Sequence, residues 1–262
     1  IVFNSTYPAD EMRREAADVV DEIESYNDSP AELIFDEFEH IVFPTHSLGR
    51  NILGEADALR RHTTDGMAAF AHRLYRPERC TVFVVGPVDP SHVLRQVERI
   101  ALPCESAAPV TRTAPTHYTP QQVERKRGVH QAHVMIGTRA VAVPHPDRMA
   151  LVLLNNILGG PGLNSRLNLS LRERAGLVYT VESNYTGYTD TGVWSVYFGC
   201  DQKNVQRCRR LVLREIDRLI QSPISERTLT AAKKQMQGQL ALGCDQHENM
   251  AIGMGKTMLH YN

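Results

Sequence analysis

Between Pro103 and Gln122 the chain runs for twenty residues rich in Pro, Thr, Ser and Ala, with few large apolar side chains. Such a stretch cannot cross a packed interior, because it brings too little apolar surface to offset the cost of ordering it. It therefore divides the 262 residues into two parts. We place the first domain at residues 1–105, a linker at 106–122 and a second domain at 123–262. Hydrophobic residues make up 42% and charged residues 23%, so either part has the composition of a folded globular domain rather than of disorder or a coiled coil.

Each part mixes helix signals with strand signals. Met12, Ala16, Val19 and Ile23 recur at helical spacing, which predicts a helix over Asp10–Tyr26 with Asp10 as its cap. Ser29-Pro30 opens a second helix that carries Ile34, Phe38, Ile41 and Val42 inward and stops at Pro44. Shorter helices are expected over Glu55–Arg61 and Asp65–Leu74, a strand over Cys80–Val88, and a helix over Ser91–Ala101. The second part predicts a strand over Gly128–Thr138 and helices over Arg148–Leu158 and Ser165–Arg174. Two strands follow, Val178–Tyr188 and Val193–Cys200, turning near Asp190. Two long helices close the chain. The first places Val205, Cys208, Val212, Ile216 and Leu219 on one face, and the second starts near Ser225-Glu226. Hairpin-type strands among many helices argue for an α+β fold rather than a doubly wound sheet.

Several classes of function are excluded. No apolar run approaches the ~18 residues that span a bilayer. A net charge of −1 gives no general attraction to nucleic acid or an anionic membrane. The odd set of Cys80, Cys104, Cys200, Cys208 and Cys244 contains no CxxC pair, which points to free thiols in a reducing compartment, the cytoplasm. Gly255-Lys256-Thr257 resembles the end of a phosphate-binding loop, but Met250 stands where its first glycine is required. Met250, Met254 and Met258 read instead as core packing along a helix. His130 and His133 point to opposite faces of a strand and cannot share a metal.

Charge is distributed unevenly. Residues 1–40 hold twelve acidic and two basic residues, a local net of −10 that leaves +9 on the remainder. Within this segment Glu15 and Glu22 lie nearly two helical turns apart, at the border of the apolar stripe. A carboxylate so placed is either a solvated helix residue or a hard oxygen ligand. Arg172 and Tyr179 are separated by the same interval across a break at Gly176. A guanidinium and a phenol converging from two elements can bind a carbonyl or carboxylate. The alternative is a surface arginine and a core-edge tyrosine.

Three stretches, in this order, resemble the pitrilysin/insulinase-type zinc metallopeptidases, in particular the bacterial branch related to mitochondrial processing peptidase. The first is Glu15-Ala-Ala-Asp-Val-Val-Asp-Glu22-Ile23. The second runs from Asp28-Ser-Pro to Phe43-Pro-Thr-His-Ser-Leu-Gly-Arg50 and Ile52-Leu-Gly54. The third is Leu153-Leu-Asn-Asn-Ile-Leu-Gly-Gly160, followed by Asn164-Ser-Arg-Leu167 and Leu171-Arg-Glu-Arg-Ala-Gly-Leu-Val-Tyr179.

The resemblance implies two similar domains of antiparallel sheet covered by helices, both incomplete in this chain. It implies that Glu22 ligates zinc, that Glu15 is a supporting carboxylate and that Arg172 and Tyr179 hold the substrate peptide. The implied reaction is peptide hydrolysis by a zinc-activated water. The family's His-x-x-Glu-His motif is absent, and Asp36-Glu-Phe-Glu-His40 is the nearest match. With one carboxylate where a zinc site needs three protein ligands, the isolated chain is expected to be inactive and to bind zinc poorly. The missing initiator Met and the missing motif together read as the middle of a longer protein. The alternative is a non-catalytic substrate-binding partner subunit of a heteromeric zinc peptidase. The expected partners are a peptide substrate and a second subunit in a homo- or heterodimer.

Overall fold

The structure is a computed structural model and describes residues 2–100, 112–116 and 118–261. Residues 106–111 and 117 of the expected linker, Ala101 at the end of an expected helix, and Cys104 lie outside the described residues. The described chain gathers into two compact units that interleave along the sequence. One falls within Ile1–Ser25, Ile52–Thr113 and Leu242–Asn262, the other within Tyr26–Asn51 and Ala114–Ala241.

The second unit is α+β. Its sheet has three strands, β1 (Gln131–Ala140), β2 (Val178–Gly187) and β3 (Gly192–Asp201), in the order β1-β3-β2 with antiparallel neighbours. β3 is therefore central, and its burial is nearly complete from Val193 to Cys200, with only Trp194 partly open.

Side chains alternate across the sheet. Val196, Phe198 and Cys200 join Leu158, Leu167, Leu171, Val181, Cys208 and Val212 in the main core. Here α6 (Arg148–Gly159), a π-helical turn (Asn168–Glu173) and α7 (Val205–Gln221) cover the sheet. Burial pushes the Cys200 thiol up to about 12 and the Cys208 thiol upward as well. Both behave as small apolar residues in this core.

The opposite face meets α2 (Pro30–Val42). Phe35 lies 5.2 Å from the Tyr197 ring, and Val42 and Phe43 pack on Val193. Arg139 fastens this layer. Its guanidinium donates to the Val42 and Pro115 carbonyls and lies over the rings of Phe43, at 5.0 Å, and Tyr118, at 5.4 Å. α2 starts as its sequence requires, with Pro30 at its first position and the Ser29 carbonyl accepting from the Leu33 N–H. α8 (Glu226–Cys244) opens with the Thr228 N–H donating to Ser225 Oγ.

The other unit is helical among the described residues. It contains nearly all of α1 (Ala9–Asn27), with α3 (Ala56–Leu59), α4 (Thr64–Leu74), α5 (Pro90–Ile100) and α9 (His247–Tyr261). Val20 and Ile23 are buried on the apolar stripe of α1.

Four local expectations are corrected. Asp10 lies inside the first turn of α1 and pairs with Arg13 instead of capping the helix. The stretch Cys80–Val88 is not a strand, because no described segment pairs with it, and a strand exists only through its ladder. Val82 is left 59% exposed there and Val84 48%. The closing helical region is three helices rather than two, since Asp245 and Gln246 separate α8 from α9. Finally, Met250, Met254 and Met258 share a face of α9 but are exposed, because none of the described elements covers that face.

Candidate functional site

Arg172 and Tyr179 owe their positions to the break between them. The π-helical turn buries Leu171 completely, which fixes the backbone on which the exposed Arg172 is carried. Gly176 then turns the chain with φ +59°, a region open to glycine without strain. The Gly176 N–H donates to the Arg172 carbonyl and the Leu177 N–H to the Leu171 carbonyl. β2 begins at once, and Tyr179 emerges 66% exposed where the β2–β3 register shifts. Both side chains therefore stand on the surface of one unit, on either side of a tight connection.

Arg172 opens onto a cleft of about 530 Å³ that runs beside β2, an edge strand. Thr180, Glu182 and Asn184 line it from the strand and Asn155 and Asn156 from α6. Asn155 is the organising residue. Its Nδ2 donates to the Ser183 carbonyl, while its Oδ1 accepts from Ser183 Oγ and Trp194 Nε1. Asn156 reaches the other way and donates to Gln239 of α8. Gly159 lets α6 sit this close, since a Cβ there would lie 2.7 Å from the Ser183 nitrogen.

Sequence reasoning did not single out Asn155, Asn156 or Glu182. The available signal was two adjacent amides in an otherwise apolar helix, a pattern that costs burial energy unless both are hydrogen-bonded.

Glu15 and Glu22 lie on α1 in the other unit, and both are exposed. Glu15 lines a groove of about 1320 Å³ between the start of α1 and residues 59–67, and Glu22 does not. Among the described residues no three His, Cys, Asp or Glu side chains come together as a metal site.

A separate acidic group sits on α2. Glu39 accepts from Tyr188 Oη at 3.0 Å and Asp36 lies nearby, and burial raises both carboxyls. Burial, reinforced by Glu39, pushes the Tyr188 phenol up to about 12. A carboxyl raised on folding contributes stability that is present below its unfolded pKa and is lost as pH rises through its folded pKa. Glu39→Gln keeps an acceptor for Tyr188 and removes the titration. The variant is therefore expected to lose less stability than the parent between mildly acidic and neutral pH. Urea midpoints measured across that window check this, and parallel pH profiles would contradict it.

Comparison with known proteins follows the same lines. Residues 62–236 match the family model described as the peptidase M16 inactive domain. The chain belongs to the peptidase M16 family. It is 29% identical to the uncharacterized zinc protease YmxG of Bacillus subtilis, over 98% of this chain and 62% of that protein. It is 26% identical to the mitochondrial-processing peptidase subunit beta of Rattus norvegicus, over 100% of this chain and 55% of that protein. The fold superposes on a crystal structure of a peptidase M16 inactive domain from Pseudomonas fluorescens with a TM-score of 0.85, at 20% identity, covering 99% of this chain and 62% of that one.

The family agrees with the resemblance read from the sequence. The M16 chain spans roughly three fifths of the length of the curated relatives it matches. None of its described helices is long and apolar enough to cross a membrane.

Proposed function

We propose that this M16 chain is part of a zinc-dependent endopeptidase acting on peptides or unfolded segments, in which its own role is to hold substrate. In this reading it spans the C-terminal part of a zinc-ligand domain at 1–105, a linker at 106–122 and a second peptidase-like domain at 123–262. Arg172 and Tyr179 bind the peptide, the guanidinium through a charge-assisted fork and the phenol through a single hydrogen bond. Glu22 supplies one zinc ligand to the whole protein and Glu15 supports it. The natural compartment is the cytoplasm.

The observation that supports this best is the exposure of Arg172 and Tyr179 about a turn rigidly anchored by Leu171, with Arg172 at the rim of a cleft. Labelled unfolded peptides titrated into the chain test it. Binding without cleavage is expected, weakened about tenfold in Arg172→Ala/Tyr179→Phe, the equivalent of one charge-assisted contact. Undiminished binding by that variant would overturn the role of the pair. Stoichiometric zinc together with proteolysis by the isolated chain would overturn its dependence on further residues.

A second reading is a non-catalytic substrate-binding subunit beside a catalytic one. The match to an inactive-type domain favours it. The zinc content of the whole natural protein separates the two readings, since a subunit without zinc would need a partner.

A further inference from the structure

The cleft beside β2 has a chemical character that the Arg172/Tyr179 pair does not explain. Because it wraps the edge of a strand, side chains from both faces of β2 line it, Ser183 from the core side and Glu182 from the other. Its volume of about 530 Å³ lies within the range of ligand pockets. Its walls combine apolar side chains, among them Val152, Leu163 and Met236, with uncharged hydrogen-bonding groups such as Asn155, Thr180 and Asn184.

Two charged residues line it. Arg172 carries the positive charge, and its nearest ion-pair contact is with the adjacent Glu173, at 3.8 Å. Glu182 carries the negative charge. It is half-buried, and no ion pair engages it among the described residues. Its field reaches the neighbouring Tyr197, opposite it in the register, and adds to the burial that raises that phenol.

The edge of β2 cannot simply accept another strand along its whole length. The Ser183 carbonyl is already taken by Asn155 Nδ2 at 2.9 Å. What the cleft offers is a place for a side chain, not a continuation of the ladder. A divalent ion would find a single carboxylate, too few ligands to be held. An extended cationic side chain fits better, because its apolar stem can lie along the cleft while its head donates to the carboxylate and the amide oxygens.

We infer that Glu182 forms a subsite for a lysine or arginine side chain of a bound peptide, next to the backbone contacts made by Arg172 and Tyr179. This rests on the substrate-holding role proposed for that pair.

The probe is a set of fluorescein-labelled ten-residue unstructured peptides, identical except for Lys, Gln or Glu at one central position, titrated into the full chain by anisotropy. The Lys peptide is expected to bind about tenfold more tightly than the Glu peptide, one charge-assisted contact being worth that factor. Glu182→Gln, which preserves shape, should collapse the order to within about twofold, and Glu182→Lys should invert it. Both variants are checked by circular dichroism against the parent. Arg172→Ala/Tyr179→Phe should weaken all three peptides alike. A parent with no charge preference, or a preference that survives Glu182→Gln in the folded protein, overturns the subsite while leaving the pair's role standing. Failure of every peptide to bind the parent overturns both.

Discussion

Gly137→Ala is expected to destabilise the sheet-bearing unit by about 3 kcal/mol, at the upper end of overpacking costs. Gly137 lies on β1 opposite Ser195 of β3 and beneath Phe38 of α2. A Cβ at this position would lie 2.2 Å from the Trp194 carbonyl oxygen, 2.6 Å from Phe38 Cζ and 2.9 Å from Ser195 Cα. Two of those neighbours are backbone in the central strand and cannot swing aside. The methyl group must push β1 off β3 or lift α2 off the sheet, and either movement opens the layer that Arg139 fastens. Gly238→Ala on α8 is the control. A Cβ there meets nothing within 4 Å, and replacing glycine in a helix stabilises by about 0.5–1 kcal/mol. Urea unfolding of both variants checks the pair, and equal midpoints would refute the close approach.

Leu171→Ala is expected to cost about 3 kcal/mol, within the range for truncating a fully buried leucine. Its side chain is completely buried in the main core, under the sheet and against α7. The cavity left behind has a second effect. Leu171 anchors the π-helical turn that presents Arg172, and its carbonyl ties down the Leu177 N–H at the entry to β2. Loosening that turn should weaken peptide binding as well as stability. Arg172→Ala, by contrast, removes an exposed side chain and should weaken binding while leaving the unfolding midpoint nearly unchanged. Unfolding and anisotropy measured on both variants separate anchoring from contact. Wild-type affinity in Leu171→Ala, measured where the variant is folded, would show that the turn does not depend on its anchor.

The helices that carry the site were legible because their signals are local. An apolar stripe, a proline and a serine lie within one or two turns of each other, so α1, α2, α6 and α7 emerge within a few residues of their expected bounds. The break between Arg172 and Tyr179 was legible for a related reason, since Gly176 is the kind of residue that turns the chain there without strain.

What the residues alone could not provide was any statement about partners far away in sequence. The run Val82-Phe83-Val84-Val85 has strand chemistry but no ladder among the described residues. The methionines of α9 share a face, as their spacing required, yet spacing does not tell whether anything covers it. The cleft is the clearest case. Glu182 is an ordinary residue in the sequence, and it comes to line one cleft with Arg172 because α6, held by Asn155, closes against an edge strand whose pairing with β3 is set by contacts across the fold. Periodicity, capping and turn chemistry act over a few residues and are written in the chain. Strand pairing and the walls of a cleft depend on which surfaces meet, and that is settled only when the whole unit packs.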